Sequence, residues 1–328
     1  MNAMGEFDLI ARYFQRPTRA GSGVALGVGD DCALLAPAPG MQLAVSSDML
    51  VEGRHFFADV YPAHLGHKAL AVNLSDLAAC GAEPLAFTLA LALPRVDAVW
   101  LQGFADGLLA LADAHGCQLV GGDTTQGPLN ICITVFGQVP AGRALLRSGT
   151  QAGDDIWVSG RTGQARLALD ALRGQIHADD ALLTRLRQRL ERPMPRLALG
   201  RRLVGIASSA IDVSDGLLGD LSHILAASRV GARIDVDAAT DLLAGGARLA
   251  SAGLDRGLLM RCALAGGDDY ELVFTAAPAE RAAVRQAGSD SATRVTRIGS
   301  VEAAPGLRLV DGQGQAVRGQ FPAFDHFA

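Results

Sequence analysis

The sequence predicts an α/β (α+β) protein in two domains, residues 1–140 and 150–328. Three observations predict it. Short apolar runs of strand length alternate with stretches of helical periodicity. The periodicity lapses between Pro140 and Gly153, where proline and glycine gather, and then restarts. With 328 residues and 49% hydrophobic content, the chain can bury two cores of ordinary size.

In chain order, Leu43 to Val45 reads as a short strand delivering Ser46, Ser47 and Asp48 at its end. Ala63 to Cys80 reads as a helix with Leu70, Leu74 and Leu77 on one side. Asn73 and Asp76, three residues apart, share another face of it. Gly81 caps that helix and Pro84 stops it. Phe87, Leu89, Leu91 and Leu93 alternate as a half-buried strand does. Trp100, Phe104, Leu108 and Leu111 recur at helical spacing and read as core. Gln118 to Gly121 is a strand opening into Gly122-Asp123-Thr124-Thr125, and Asn130 to Val139 is a β-branched strand.

In the second half, Ile156 to Val158 reads as a strand. A helical region follows to about Ser208, broken at Arg192 to Arg196 by two prolines. Ala210-Ile211 leads into Asp212-Val213-Ser214-Asp215-Gly216. The next helix starts there, with Asp215 placed to serve its N-terminus. Tyr270 to Phe274 and Val295 to Ile298 are later strands.

Six Gly/Ser-Asp clusters stand out: Gly29-Asp30-Asp31, Ser46-Ser47-Asp48, Ser75-Asp76, Gly121-Gly122-Asp123, Asp212 to Gly216 and Gly266-Gly267-Asp268-Asp269. One such cluster is ordinarily a turn or a helix cap. Six, mostly after apolar runs, read as carboxylates lifted toward a common site. Gathered carboxylates repel and need cations. Lys68 is the only lysine, so divalent metal is the natural partner. Magnesium takes oxygen ligands and is commonly held by carboxylates together with phosphates, which points to metal-assisted phosphate chemistry. His55 reads equally well as a half-buried loop histidine or as a ligand-binding one. Arg147 is by default a surface arginine, and in the sharper reading a phosphate clamp.

Other classes lose ground. The formal net charge of -5 argues against a nucleic-acid scaffold. Cys32, Cys80, Cys117, Cys132 and Cys262 lack C-x-x-C spacing, which speaks against a disulfide framework or a structural zinc site. There is no P-loop, no dinucleotide fingerprint and no G-x-S-x-G elbow. Without a signal-peptide core or a membrane-length apolar run, the expectation is a soluble cytoplasmic protein with neither membrane nor nucleic-acid partners.

The motifs together resemble those of the bacterial thiamine-monophosphate kinases. The matching stretches are Gly5-Glu6-Phe7 with Leu9-Ile10, Gly27 to Ala33, Ser46-Ser47-Asp48, Asn73 to Ala79, Gly121 to Thr124, Ile211 to Leu217, Gly266 to Leu272 and Phe324-Asp325-His326-Phe327. They run in family order from end to end. The resemblance implies the fold shared with aminoimidazole ribonucleotide synthetase. There the N-terminal domain (1–140) binds ATP and magnesium and forms a barrel-like homodimer interface, and the C-terminal domain (150–328) covers the site. It implies ATP as co-substrate, several Mg2+ ions as cofactor, and conversion of thiamine monophosphate to thiamine diphosphate, the last step in making that molecule.

Carried over by motif, the metal ligands are Asp30, Asp31, Ser46, Ser47, Asp48, Asp76, Asp123, Asp212 and Asp215. The nucleotide contacts are Gly122, Asp123, Arg147 and Ser214, and the thiamine-phosphate contacts are His55, Asp268 and Phe324. Many relatives carry glutamate at Asp268 and tyrosine or tryptophan at Phe324. No residue is expected to act as general base or covalent nucleophile, because the attacking phosphate oxygen is already ionised at neutral pH. Two alternatives stand beside this reading. One is an ATP-dependent synthetase of the same fold acting on another small molecule. The other is a non-catalytic nucleotide-binding dimer.

Overall fold

The structure, a computed structural model, describes residues 5–19, 21–244, 254–319 and 321. The chain divides into two compact units: Met1–Leu77 with Ala82–Gly142, and Ala78–Gly81 with Arg143–Ala328. No helix among the described residues is long and apolar enough to cross a membrane.

In the first unit, helical and alternating periodicities become a sheet with helices against it. Its elements are α1 (Glu6–Tyr13), the short pair β1 (Val24–Leu26) and β2 (Leu34–Leu35), β3 (Met41–Val51), α2 (Pro62–Ala79), β4 (Glu83–Leu93), α3 (Ala98–Ala114), β5 (Gln118–Gln126) and β6 (Asn130–Pro140). The main sheet runs β3-β6-β4-β5. β6 is antiparallel to both β3 and β4, while β4 and β5 are parallel, joined by a crossover through α3. Asp97 starts α3, its carboxylate accepting the N–H groups of Val99 and Trp100. Leu65, Leu70, Leu74 and Leu77 of α2 and Leu101, Phe104 and Leu108 of α3 are buried. The two helices touch backbone to backbone: a Cβ on Gly107 would lie 1.8 Å from the Ala63 carbonyl oxygen. On β3, Ala44, Ser46, Asp48 and Leu50 are more covered than their neighbours, whereas Leu43, Val45 and Met49 stay 46–59% exposed.

The second unit contains β7 (Asp155–Ser159), α4 (Gln164–Leu172), α5 (Asp180–Glu191), α6 (Leu197–Leu203), β8 (Ser209–Val213), α7 (Leu217–Ser228), β9 (Gly231–Asp235), α8 (Val236–Ala244), α9 (Arg256–Ala265), β10 (Glu271–Ala276), a 3-10 turn (Pro278–Glu280), α10 (Arg281–Asp290), β11 (Val295–Glu302) and β12 (Gly306–Val310). Its sheet runs β12-β9-β11-β7-β10-β8. Among the described residues of this unit, only β12 and β9 pair in parallel. β7, β10 and the terminal strand β8 are buried at every position, so both faces are covered at this end of the sheet. Asp155, 2% exposed, is held there by Arg281 and Arg297. Those hydrogen bonds, that of Arg281 foremost, keep its carboxyl below the usual range against the opposing effect of burial.

Two placements differ from the sequence reading. Ser46-Ser47-Asp48 and Gly121-Gly122-Asp123 lie inside β3 and β5, not beyond their ends. Polar residues extend these strands because one edge or face of each lies open to solvent, where they need no buried partner. The turn before α7 is tied by Asp220, from the first turn of that helix. The Asp220 carboxylate reaches back to the N–H groups of Asp215 and Gly216, both at 3.1 Å.

Candidate functional site

In the first unit the site begins with strand alternation. Ser46 and Asp48 point to the face that α2 covers, and Ser47 points to the other. The shared face of Asn73 and Asp76 on α2 meets them. Ser46 Oγ donates to Asp76 Oδ2. Asn73 Oδ1 accepts the Asp48 backbone N–H at 3.0 Å, and Asn73 Nδ2 donates to the Ala69 carbonyl at 3.0 Å. β3 is an edge strand, so alternate N–H groups have no ladder partner, and Asn73 satisfies one of them. Asn73, 1% exposed, was not among the expected ligands. Its spacing from Asp76 was the signal that could have revealed it. Ser47 Oγ donates to the Ile133 carbonyl at 3.1 Å and lies 3.0 Å from Thr134 Oγ1 on β6.

Asp30 and Asp31 are exposed in the loop after β1, where the Asp31 N–H donates to Asp30 Oδ1 at 2.8 Å. Gly122 has φ +145°, and a Cβ there would lie 1.8 Å from the Leu89 carbonyl oxygen. Only glycine lets β5 come so close to β4, and the exposed Asp123 follows it. His55 is half-buried in the turn after β3. Val51 N–H donates to its Nδ1 at 3.0 Å, so the neutral ring carries its proton on Nε2. Lys68, 3% exposed, donates to the His55 carbonyl at 3.3 Å. The single lysine thus holds the histidine turn.

In the second unit two Gly/Asp turns are stitched together. Asp212, 6% exposed, pairs in register with Leu272 at the end of β8. Beyond it the Asp268 N–H donates to the Ser214 carbonyl, and the Tyr270 N–H to the Val213 carbonyl, both at 2.8 Å. Asp268 and Tyr270 both take positive φ, 64° and 50°. That conformation is uncommon for aspartate and strained for tyrosine. Tyr270 Oη donates to Asp268 Oδ1 at 3.1 Å. The side chains of Ser214, Asp215 and Asp268 are half-buried around these turns. Burial pushes the Asp220 carboxyl up to about 7 although backbone N–H groups bond it. Burial likewise raises Asp269 well above the carboxylate range. Arg147 is exposed. Phe324 lies outside the described residues.

Among the described residues, no three or more His, Cys, Asp or Glu side chains stand close enough to hold one metal ion. The donor set is nonetheless carboxylate and hydroxyl oxygen, joined pairwise as in Ser46 and Asp76, and these are the hard ligands magnesium takes. The described cysteines are all unpaired with one another.

Residues 29–139 match the family described as AIR synthase related protein, N-terminal domain, and residues 151–312 match its C-terminal domain. The class is therefore the two-domain AIR synthase related α/β fold. The thiamine-monophosphate kinase of Salmonella typhimurium is 47% identical over 328 residues, covering 99% of each chain. The solved thiamine-monophosphate kinase of Stenotrophomonas maltophilia K279a is 44% identical, with a TM-score of 0.82 over 91% of this chain and 93% of that one. AaThiL complexed with AMPPCP and TMP is 27% identical, with a TM-score of 0.75 over 89% of each chain. Within its class, this chain belongs to the thiamine-monophosphate kinase family.

Proposed function

We propose that this protein transfers the γ-phosphoryl group of ATP to thiamine monophosphate, giving thiamine diphosphate and ADP. The reading is carried by the coupling of β3 to α2, which sets Ser46, Asp48 and Asp76 together on one face, in a chain whose family motifs run from end to end.

In this reading Asp30, Asp31, Ser46, Ser47, Asp48, Asp76 and Asp123 hold magnesium in the N-terminal domain (1–140), and Asp212 and Asp215 do so in the C-terminal domain (150–328). When bound, magnesium neutralises the repulsion between the two anionic partners and stabilises charge spreading over the transferred group. Gly122, Asp123, Arg147 and Ser214 contact the nucleotide. Gly122 brings bare backbone close, and Arg147 offers a fork suited to phosphate oxygens. His55, Asp268 and Phe324 contact thiamine phosphate, His55 through a donor fit for a phosphate oxygen.

A phosphate oxygen of thiamine monophosphate forms the new bond to the γ-phosphorus. The bond to the β–γ bridging oxygen breaks, and ADP departs with that electron pair. The attacking oxygen is already ionised, so no side chain has to remove a proton. The exposed stripe of Leu43, Val45 and Met49 supports pairing with a second copy of the chain. The unpaired cysteines agree with a cytoplasmic location.

The test is a product assay with ATP, magnesium and thiamine monophosphate. Equal yields of thiamine diphosphate and ADP, abolished by EDTA, are expected. ADP alone would move the acceptor to another small molecule. ATP binding without either product would leave a binding module. A phosphoenzyme labelled from ATP would overturn direct transfer.

A further inference from the structure

Four loops of the second unit meet around a cleft of about 230 Å³. One follows β7, one leaves α5, one enters β10 and one precedes β11. Arg161, Arg189, Arg196 and Arg294 line it, with two carboxylates, Asp269 and Glu271. Both carboxylates are committed elsewhere. Arg196 donates to both oxygens of Glu271, and Ser159 Oγ donates to Oε2 at 2.5 Å. Asp269 accepts the Gly163 N–H at 2.6 Å. Arg161, Arg189 and Arg294 are left without a carboxylate partner among the described residues.

Arg161 is half-buried and Arg189 and Arg294 are exposed, so water can meet their donors, but three like charges on one concave surface give it a positive potential. An anion in the cleft offsets that charge. We propose that this cleft binds a phosphate or diphosphate group. The planar arginine fork matches phosphate oxygens two at a time, and three forks call for more negative charge than a single carboxylate carries. The cleft is smaller than the roughly 300–1,000 Å³ of pockets that enclose whole ligands. It therefore takes the anionic group itself, either as a free anion or as the tail of a larger phosphorylated molecule. The three arginines are separate from the residues assigned to magnesium, nucleotide and thiamine phosphate above, and the proposal does not rest on the kinase reading.

The experiment is calorimetric titration of the full chain with sodium pyrophosphate in EDTA, which removes divalent metal from every other site. One site per chain is expected. Its affinity should fall about 10- to 100-fold in the double variant Arg189→Gln/Arg294→Gln. Arg161→Gln, on a different loop, should cost about tenfold and keeps the test decisive if the double variant folds poorly by circular dichroism. A parallel titration with thiamine diphosphate separates the two sources. A matching drop in the double variant assigns the cleft to the tail of that molecule, and a drop for pyrophosphate alone assigns it to the free anion. A wild-type chain that does not bind pyrophosphate, or variants that bind it equally well, overturns the proposal.

Discussion

Replacing Asn73 with alanine isolates the contact between β3 and α2. Asn73 is 1% exposed and makes two hydrogen bonds, accepting from Asp48 N and donating to the Ala69 carbonyl, each at 3.0 Å. The Ala69 carbonyl also belongs to the α2 helix, so its loss is minor. The Asp48 N–H lies on the open edge of β3 and has no ladder partner to fall back on. Leaving it unsatisfied costs about 1–3 kcal/mol. The same bond fixes the backbone that carries the Asp48 carboxylate. Freeing it by about 1 Å costs on the order of 100-fold in rate where a reacting group must be positioned. The expected result for Asn73→Ala is a loss of about 1–3 kcal/mol in urea unfolding, with kcat/KM down about 10- to 100-fold and a higher magnesium concentration for half-maximal rate. The last readout separates positioning from bulk stability, since a merely loosened fold leaves the metal requirement unchanged. A variant that loses stability but keeps wild-type turnover and magnesium dependence would refute the reasoning.

The other predictions concern charge. Asp48→Asn and Asp123→Asn should each lower turnover by about 100-fold or more, and the exposed Asp123 should move stability by less than about 1 kcal/mol; near-normal turnover in either, by the product assay, removes that residue from the metal set. Asp155→Asn should destabilise the second unit by about 2–3 kcal/mol in urea. That is below the cost of breaking a fully buried pair, because Arg281 and Arg297 are 44% and 46% exposed and can be rehydrated. The Asp155 pairing should also fade as pH falls through its lowered folded value, since its stabilisation exists only above the ordinary carboxylate range.

Asp220 has the opposite sign. Its folded value of about 7 means that the native state holds a proton the unfolded chain has already lost, so stability should decline as pH rises from about 4 to 7. Unfolding measured in EDTA across that window should show the decline in the wild type and a flatter profile in Asp220→Asn. Identical slopes would show that Asp220 ionises as freely in the folded chain as in the unfolded one.

Much of this protein is local and therefore legible in its residues. α2, α3, β4 and β6 follow from periodicity, because a helix face or a strand face is set by neighbours three, four or two positions away. The carboxylate clusters, and the shared face of Asn73 and Asp76, can be read the same way. So can the family, because its motifs are short contiguous words in a fixed order.

Tertiary structure decided the rest. That Ser46 to Asp48 lies within β3, and that Asp48 depends on Asn73, follows from the position of β3 at a sheet edge. Asp220 partners the turn before α7 because the first turn of that helix carries its carboxylate back to the N–H groups of Asp215 and Gly216. β12 lies parallel to β9 through a pairing some 75 residues apart in sequence, and Ala78–Gly81 groups with the second unit despite lying far before Arg143. The arginines of the cleft come from three separate stretches with no common pattern. Periodicity records what a residue does with its near neighbours. Which distant groups share a hydrogen bond, a buried charge or a cleft is settled only when the sheets close and leave each polar atom with the partners within reach.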